Sequence, residues 1–371
     1  MSGSPPRNGG AMRKKSGLTA NHVTLLRIIA LPFPCWALLA RPEQPWMWIA
    51  FVWGALVGAT DFVDGWMARR DGPTVLGGLL DPVADKLFVA VLLLPIVVTG
   101  DCPAWAAGAL FVRELLITTL RSSLQVRKQS LKTSELGKLK TVVQMGGIGT
   151  FFLTIFVPRP QMPWVHLACA LVMLALCGLF AWLSHAKGQR PVPPVWLLGG
   201  TPLWFLLFAG ALFLEPPDCA YWQFIAMVLF TWVSGADYLW GAGRVLFSLG
   251  FRPGDVIRVV GAIVHGLALI PLLDEYPLLG VPVLISLCGE LAYGGVDNAV
   301  SSHLSRFARA RPSLTTLLAI GIGACAWLQI LPMTTLYWLA WALAAASWFN
   351  AIVAFVVDRG VFLAPDRPLP P

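Results

Sequence analysis

"DFVDGWMARRDGPTVLGGLLDPVAD", residues 61–85, lies between long apolar runs and concentrates the acidic residues of the first half of the chain. Asp61, Asp64, Gly65 and Ala68 follow i, i+3, i+4, i+7 spacing, which puts them on one face of a helix. Gly77, Asp81 and Asp85, at i, i+4, i+8, make a second face on the next apolar segment. The intervening turn, "RRDGPT", is short, so the two faces can oppose one another across an antiparallel helix pair. A carboxylate inside a membrane costs about 2.5–3.5 kcal/mol on insertion scales, and several together repel. A divalent cation such as Mg²⁺, with its preference for oxygen ligands, relieves both penalties. Small residues at 65, 68 and 77 leave room for a ligand to approach the backbone. Two rival readings are a salt-bridge cluster with Arg69, Arg70 and Lys86, and a proton or cation relay. Arg70 and Lys86 fall off the acidic faces, which disfavours the first.

The surroundings define the class. Of 371 residues, 57% are hydrophobic and 12% charged, and the mean hydropathy is +0.71. Soluble domains carry about 25% charged residues, so an all-α polytopic membrane protein is expected. Apolar runs near the roughly 20 residues that span a bilayer fall at 22–41, 46–67, 77–99, 103–127, 136–158 and 163–186. A second set falls at 197–215, 221–246, 254–273, 279–300, 313–331 and 334–357, giving twelve predicted spans. The polar, basic start carries no cleavable signal pattern. The seven cysteines are scattered without metal-type spacing and read as free, packed thiols. Lys and Arg gather at the N-terminus, after span 2, around 127–140, at 187–190, at 244–258, at 306–311 and at 359–367. The alternate loops are nearly free of them. This bias places both termini and the acidic face of the pair in the cytoplasm, in the cell (inner) membrane. The net charge of +8 lines loops beside spans, so an anionic lipid surface, not nucleic acid, is its expected partner.

A shift of 176 residues aligns Trp46 with Trp222, Asp61 with Asp237, Gly65 with Gly241, Gly78 with Gly254 and Pro95 with Pro271. "REL" at 113–115 meets "GEL" at 289–291. Polar residues and a proline in one register predict two six-helix repeats in parallel orientation. The expected division is a basic, unordered stretch at 1–19, a catalytic domain at 20–190, a degenerate repeat at 195–360 and an unordered tail at 361–371. At this offset Asp64 becomes Trp240, Asp81 becomes Ile257 and Asp85 becomes Gly261, so the second repeat cannot hold a metal pair. Its remaining polar residues, His265, Glu290, Asp297, Asn298 and His303, read as packing or interface groups.

The pattern D-x2-D-G-x2-A-R-x7-G-x3-D-x3-D over residues 61–85 resembles the signature of the CDP-alcohol phosphotransferases. "NHVTLLR" (21–27) looks like that family's entry to span 1, with Val23 in place of the usual leucine. "VRELLITTLR" (112–121) and "GKLKTVVQM" (137–145) look like its segments in spans 4 and 5. The resemblance covers about residues 20–186. It implies that Asp61, Asp64 and Asp81, with Asp85 beside them, hold a pair of divalent ions, Mg²⁺ or Mn²⁺, and that Asp85 acts as general base. Gly65, Ala68 and Gly77 would make room for the cytidine end of CDP-diacylglycerol, and Arg69 would steady its phosphates. The implied reaction transfers a phosphatidyl group to an alcohol and releases CMP.

Arg113, Arg121, Lys138 and Lys140, with Thr141 alongside, suit an anionic acceptor such as glycerol 3-phosphate, because Arg and Lys pair with phosphate oxygens. The rival readings are positive-inside anchoring, which accounts for Arg127, Lys128 and Lys132, and for Arg113 a pairing with Glu114 or a carboxylate of the first cluster. Phosphatidylglycerol, as in a cardiolipin synthase, or an inositol phosphate remains an alternative acceptor. The family's members are commonly homodimers, so the fused second half is expected to stand in for a partner subunit. A different class, the ion-coupled secondary transporter, shares the plan of twelve spans in two parallel halves. The confinement of the acidic residues to one half counts against it.

Overall fold

The computed structural model describes residues 19–40, 44–71, 74–129, 135–186, 195–309 and 312–362. The predicted join at 187–194 and most of both predicted unordered ends lie outside them. The first half forms α1 (Ala20–Ala30), α2 (Pro32–Ala40), α3 (Gln44–Asp71), α4 (Val75–Val98), α5 (Ala104–Gln125), α6 (Glu135–Phe156) and α7 (Met162–Ala186). The second forms α8 (Val195–Phe213), α9 (Pro216–Leu249), α10 (Pro253–Val264), α11 (Gly280–Leu304), α12 (Pro312–Trp327) and α13 (Met333–Val357). Among the described residues there is no β-strand. The all-α expectation holds.

Two predicted spans differ from single helices, each for a local reason. The first breaks at Leu31, because Pro32 has no N–H to continue the ladder. The span at 254–273 is α10 followed by a π-helical turn, His265–Leu269, and a short 3₁₀ turn that starts at Pro271. Elsewhere the ends follow ordinary stop signals. Thr74 caps α4 by accepting from Gly77 N at 2.9 Å. Pro216 opens α9, and Gly250, at φ +79°, closes it in a conformation that favours glycine.

Seven helical segments among the described residues are long and apolar enough to cross a bilayer, counting α1 and α2 together. The helices α4 and α5 carry charges that the site and the packing use, and α12 is only 16 residues long. Large apolar side chains, including Leu171, Val172, Leu206, Phe247 and Trp338, are exposed along the helices, as lipid contact requires. The chain is a multi-pass membrane protein.

α1 and α2 lie against α3 and α4, α6 packs on α9, and α7 on α8. α5 is enclosed by α9, α10 and α11, while α11 runs along α13 and also reaches α4. Small residues allow this closeness. A Cβ added at Gly108 on α5 would sit 2.4 Å from Gly266 O, and one at Gly266 would sit 2.8 Å from Gly108 O. Backbone therefore meets backbone there.

Ion pairs bind the helix ends. Arg127 donates to Asp255 at 2.5 and 3.2 Å and to Gly250 O at 2.9 Å. Its side chain is buried, so it does more than the charge-bias anchoring read from its position in the sequence. Arg127→Ala strands the Asp255 carboxylate and should cost about 3–5 kcal/mol, read as a lower thermal unfolding midpoint in detergent. Beyond α13, burial pushes the Asp358 carboxyl up, but hydrogen bonds from Arg306 and the Arg309 backbone outweigh it and hold the carboxyl below its ordinary range. That contribution is present above the ordinary carboxylate pKa and is lost as pH falls through the depressed one. Asp358→Asn should flatten the acid limb of the stability profile.

Candidate active site

The last turns of α3 carry Asp61 and Asp64, and the early turns of α4 carry Asp81 and Asp85. The two acidic faces meet, and α1 supplies what holds them. Arg27 Nη1 lies 3.1 Å from Asp61 and 3.0 Å from Asp85. Its Nη2 donates to Asp64, and its Nε donates to Thr60 at 3.2 Å. Thr24 Oγ1 lies 3.1 Å from Asp64 Oδ2, 3.0 Å from Asp81 Oδ1 and 3.1 Å from Ala20 O. One hydroxyl proton serves only one of these acceptors at a time. Arg27 and Asp64 are buried, whereas the side chains of Asp61 and Asp85 are 50% and 39% exposed. The cluster thus has a closed floor at Asp64 and an open edge where a ligand can arrive.

Thr24 and Arg27 were not among the site residues expected from sequence. The signal was in "NHVTLLR", where Asn21, Thr24 and Arg27 recur every three residues and so share a helical side. Asn21 completes the row. Its Oδ1 accepts from Thr74 Oγ1 at 3.2 Å and would be 2.9 Å from a Cβ at Gly77. Gly77, expected to give space to a nucleotide, is buried and gives it here to Asn21 and the Thr74 cap. Gly77→Ala forces both aside and should cost about 1–3 kcal/mol, again read by thermal unfolding. Gly65 is half-buried, directly after Asp64. The helix continues through Ala68 and Arg69, whose side chains lie outside the described residues.

The predicted acceptor group is dispersed. Arg113 is buried on α5, donating to Thr231 O at 3.1 Å and to Glu114 at 3.0 Å, at the seam with α9. Arg121 is exposed further along α5, beside Tyr238. Lys138, Lys140 and Thr141 lie on α6, and their side chains are outside the described residues. In the second half, Asp297 accepts two bonds from Arg258 at 3.0 Å, and His265 Nε2 lies 3.9 Å from Glu290.

The donor set is all carboxylate oxygen, the chemistry that a hard divalent cation takes. Arg27 by itself brings one positive charge to four carboxylates, so the charge also suits such an ion. Among the described residues, however, no three His, Cys, Asp or Glu side chains converge as a ready metal site. Arg27 pairs with three of the four carboxylates, Asp61, Asp64 and Asp85.

A family model described as CDP-alcohol phosphatidyltransferase matches residues 17–176. A probable phosphatidylglycerophosphate synthase of Mycobacterium tuberculosis is 32% identical over 182 residues, 48% of this chain and 87% of that protein. A CDP-diacylglycerol–glycerol-3-phosphate 3-phosphatidyltransferase of Salmonella choleraesuis is 32% identical over 183 residues, 45% of this chain and 93% of that one. The protein of the same name from Yersinia pestis is 36% identical over 141 residues, 34% of this chain and 71% of that one. No solved structure matches. The family match spans α1 to most of α7 and includes every carboxylate of the cluster, while α8 to α13 lie beyond it. On these matches and this acidic site, the chain belongs to the CDP-alcohol phosphatidyltransferase family.

Proposed function

We propose that the enzyme transfers the phosphatidyl group of CDP-diacylglycerol to glycerol 3-phosphate, at the cytoplasmic face of the cell membrane, and releases CMP. The observation that carries the reading is the gathering of Asp61, Asp64, Asp81 and Asp85 around Thr24 and Arg27. The names of the relatives support the acceptor. Asp61, Asp64 and Asp81 would hold Mg²⁺ or Mn²⁺, with Asp85 beside them. The cation, when bound, neutralises pyrophosphate oxygens against which bare carboxylates would otherwise repel the substrate. Asp85, at the open edge, accepts the proton of the acceptor hydroxyl as that oxygen bonds to the phosphatidyl phosphorus. The bond from this phosphorus to the CMP oxygen breaks, and CMP leaves with the electron pair. Arg69 steadies the phosphates, and Arg121, Lys138, Lys140 and Thr141 draw in the anionic acceptor. Arg113 is already bonded to Thr231 O and Glu114 at the seam with α9, so its part in acceptor binding is the weakest of the group.

The test is metal-dependent CMP release from CDP-diacylglycerol with purified protein in vesicles. Glycerol 3-phosphate should support it at least about tenfold better than phosphatidylglycerol or inositol phosphate, a margin of about 1.4 kcal/mol. Equal rates with all three, or none, would refute the acceptor assignment.

For the second half we propose a degenerate repeat in place of a partner subunit. Shifted by 176, α3 falls within the bounds of α9, and α5 starts where α11 starts. The close seams of α5 with α9, α10 and α11 favour the same reading. A truncation ending near residue 190 should lose folded protein. If it folds and turns over unaided, the second half is no scaffold.

A further inference from the structure

α4 is held from two sides. On one, Asp81 and Asp85 meet Thr24 and Arg27 of α1. On the other, α11 of the second half brings the adjacent pair Gly294 and Gly295 into the seam between α4 and α5. A Cβ at Gly294 would lie 3.3 Å from Thr118 on α5, an adjustable contact. A Cβ at Gly295 would lie 2.2 Å from Val83 Cγ2 and 3.4 Å from Leu79 Cδ1 on α4. Val83 is two residues from both Asp81 and Asp85, about 200° around the helix at 3.6 residues per turn. It therefore backs the carboxylate face. A valine on a helix is nearly confined to one χ1 rotamer, so its methyl cannot simply swing away. Moving from 2.2 Å to the 3.4 Å of ordinary contact requires 1.2 Å. Any such shift of α4 drives Asp81 and Asp85 toward Thr24 and Arg27.

We propose that Gly295 is a positioning residue for the reaction: by presenting no side chain to Val83, the second half sets the depth at which α4 places Asp81 and Asp85. This rests on the reading of those two aspartates as site residues. Displacements near 1 Å cost on the order of 10²-fold in rate.

In full-length protein in vesicles, Gly295→Ala should lower kcat by about 10–100-fold. Its KM for CDP-diacylglycerol should rise by less than kcat falls, because Asp61 and Asp64 on α3 keep their places while the general base Asp85 moves. Val83→Ala removes the opposing methyls, so the Val83→Ala, Gly295→Ala double variant should recover kcat to within about threefold of Val83→Ala alone. Gly321→Ala, with nothing within 4 Å of its added Cβ, serves as the control. A folded Gly295→Ala protein with wild-type kcat overturns the proposal. So does a double variant that recovers neither fold nor turnover. Asp85→Asn, measured alongside, separates the two levels. If Asp85→Asn turns over normally, the site reading fails; if it is silent while Gly295→Ala is normal, only the positioning role fails.

Discussion

Asp85→Asn should reduce CMP release by about 10²–10⁴-fold, the usual contribution of a positioned general base. Asparagine keeps the shape of the side chain and its bond from Arg27, but it cannot take a proton from the acceptor hydroxyl. The Asp85 side chain is partly exposed, whereas Asp64 is buried under Arg27. The nucleotide lipid should therefore still bind to Asp85→Asn, measured by displacement of labelled CDP-diacylglycerol. Turnover and binding lost together would make Asp85 a ligand of the substrate's cation and not the base. Asp61→Asn and Asp64→Asn serve as the comparison, since there binding and turnover should fall in parallel.

The second large effect belongs to a residue outside the acidic signature. Arg27→Ala leaves Asp64 buried without its partner and leaves Asp61 and Asp85 facing each other without the shared guanidinium. Removing one partner from a buried ion pair costs about 3–5 kcal/mol. The unfolding midpoint in detergent with chelator should fall accordingly. Added Mg²⁺ or Mn²⁺ should then restore much of it, because an ion binding the folded state at a hundred times its Kd contributes about 2.7 kcal/mol. Wild-type protein, with Arg27 in place, should gain less from the same addition. If Arg27→Ala is as stable as wild type in chelator, the guanidinium is not what keeps the carboxylates together. If divalent ions stabilise both proteins equally, Arg27 does not share their position. Arg27→Lys should fall between, since it retains the charge but not the fork that reaches several carboxylates.

Much of this protein was legible before any helix was placed. Helical spacing put Asp61 with Asp64 and Asp81 with Asp85, and the short turn at 69–74 made the two faces oppose. The structure brings them together. Thr24 and Arg27 were visible only as part of an entry motif, because nothing local says that a residue 58 positions before Asp85 will reach it. Arg113 shows the converse. Its neighbours in sequence suggested a phosphate ligand, whereas its guanidinium is committed to a carbonyl 118 residues away. Gly77 likewise looked like empty space and proved to be filled by Asn21.

Apolar run lengths and the period of the aspartates are properties of the chain itself, so they were enough for membrane class, helical content and the helical faces that the four aspartates share. Which cation the quartet meets, and what lies behind α4, depend on crossings between helices far apart in sequence. A glycine marks a close approach only once its neighbour is known, and for Gly295 that neighbour is Val83, 212 residues earlier in the chain.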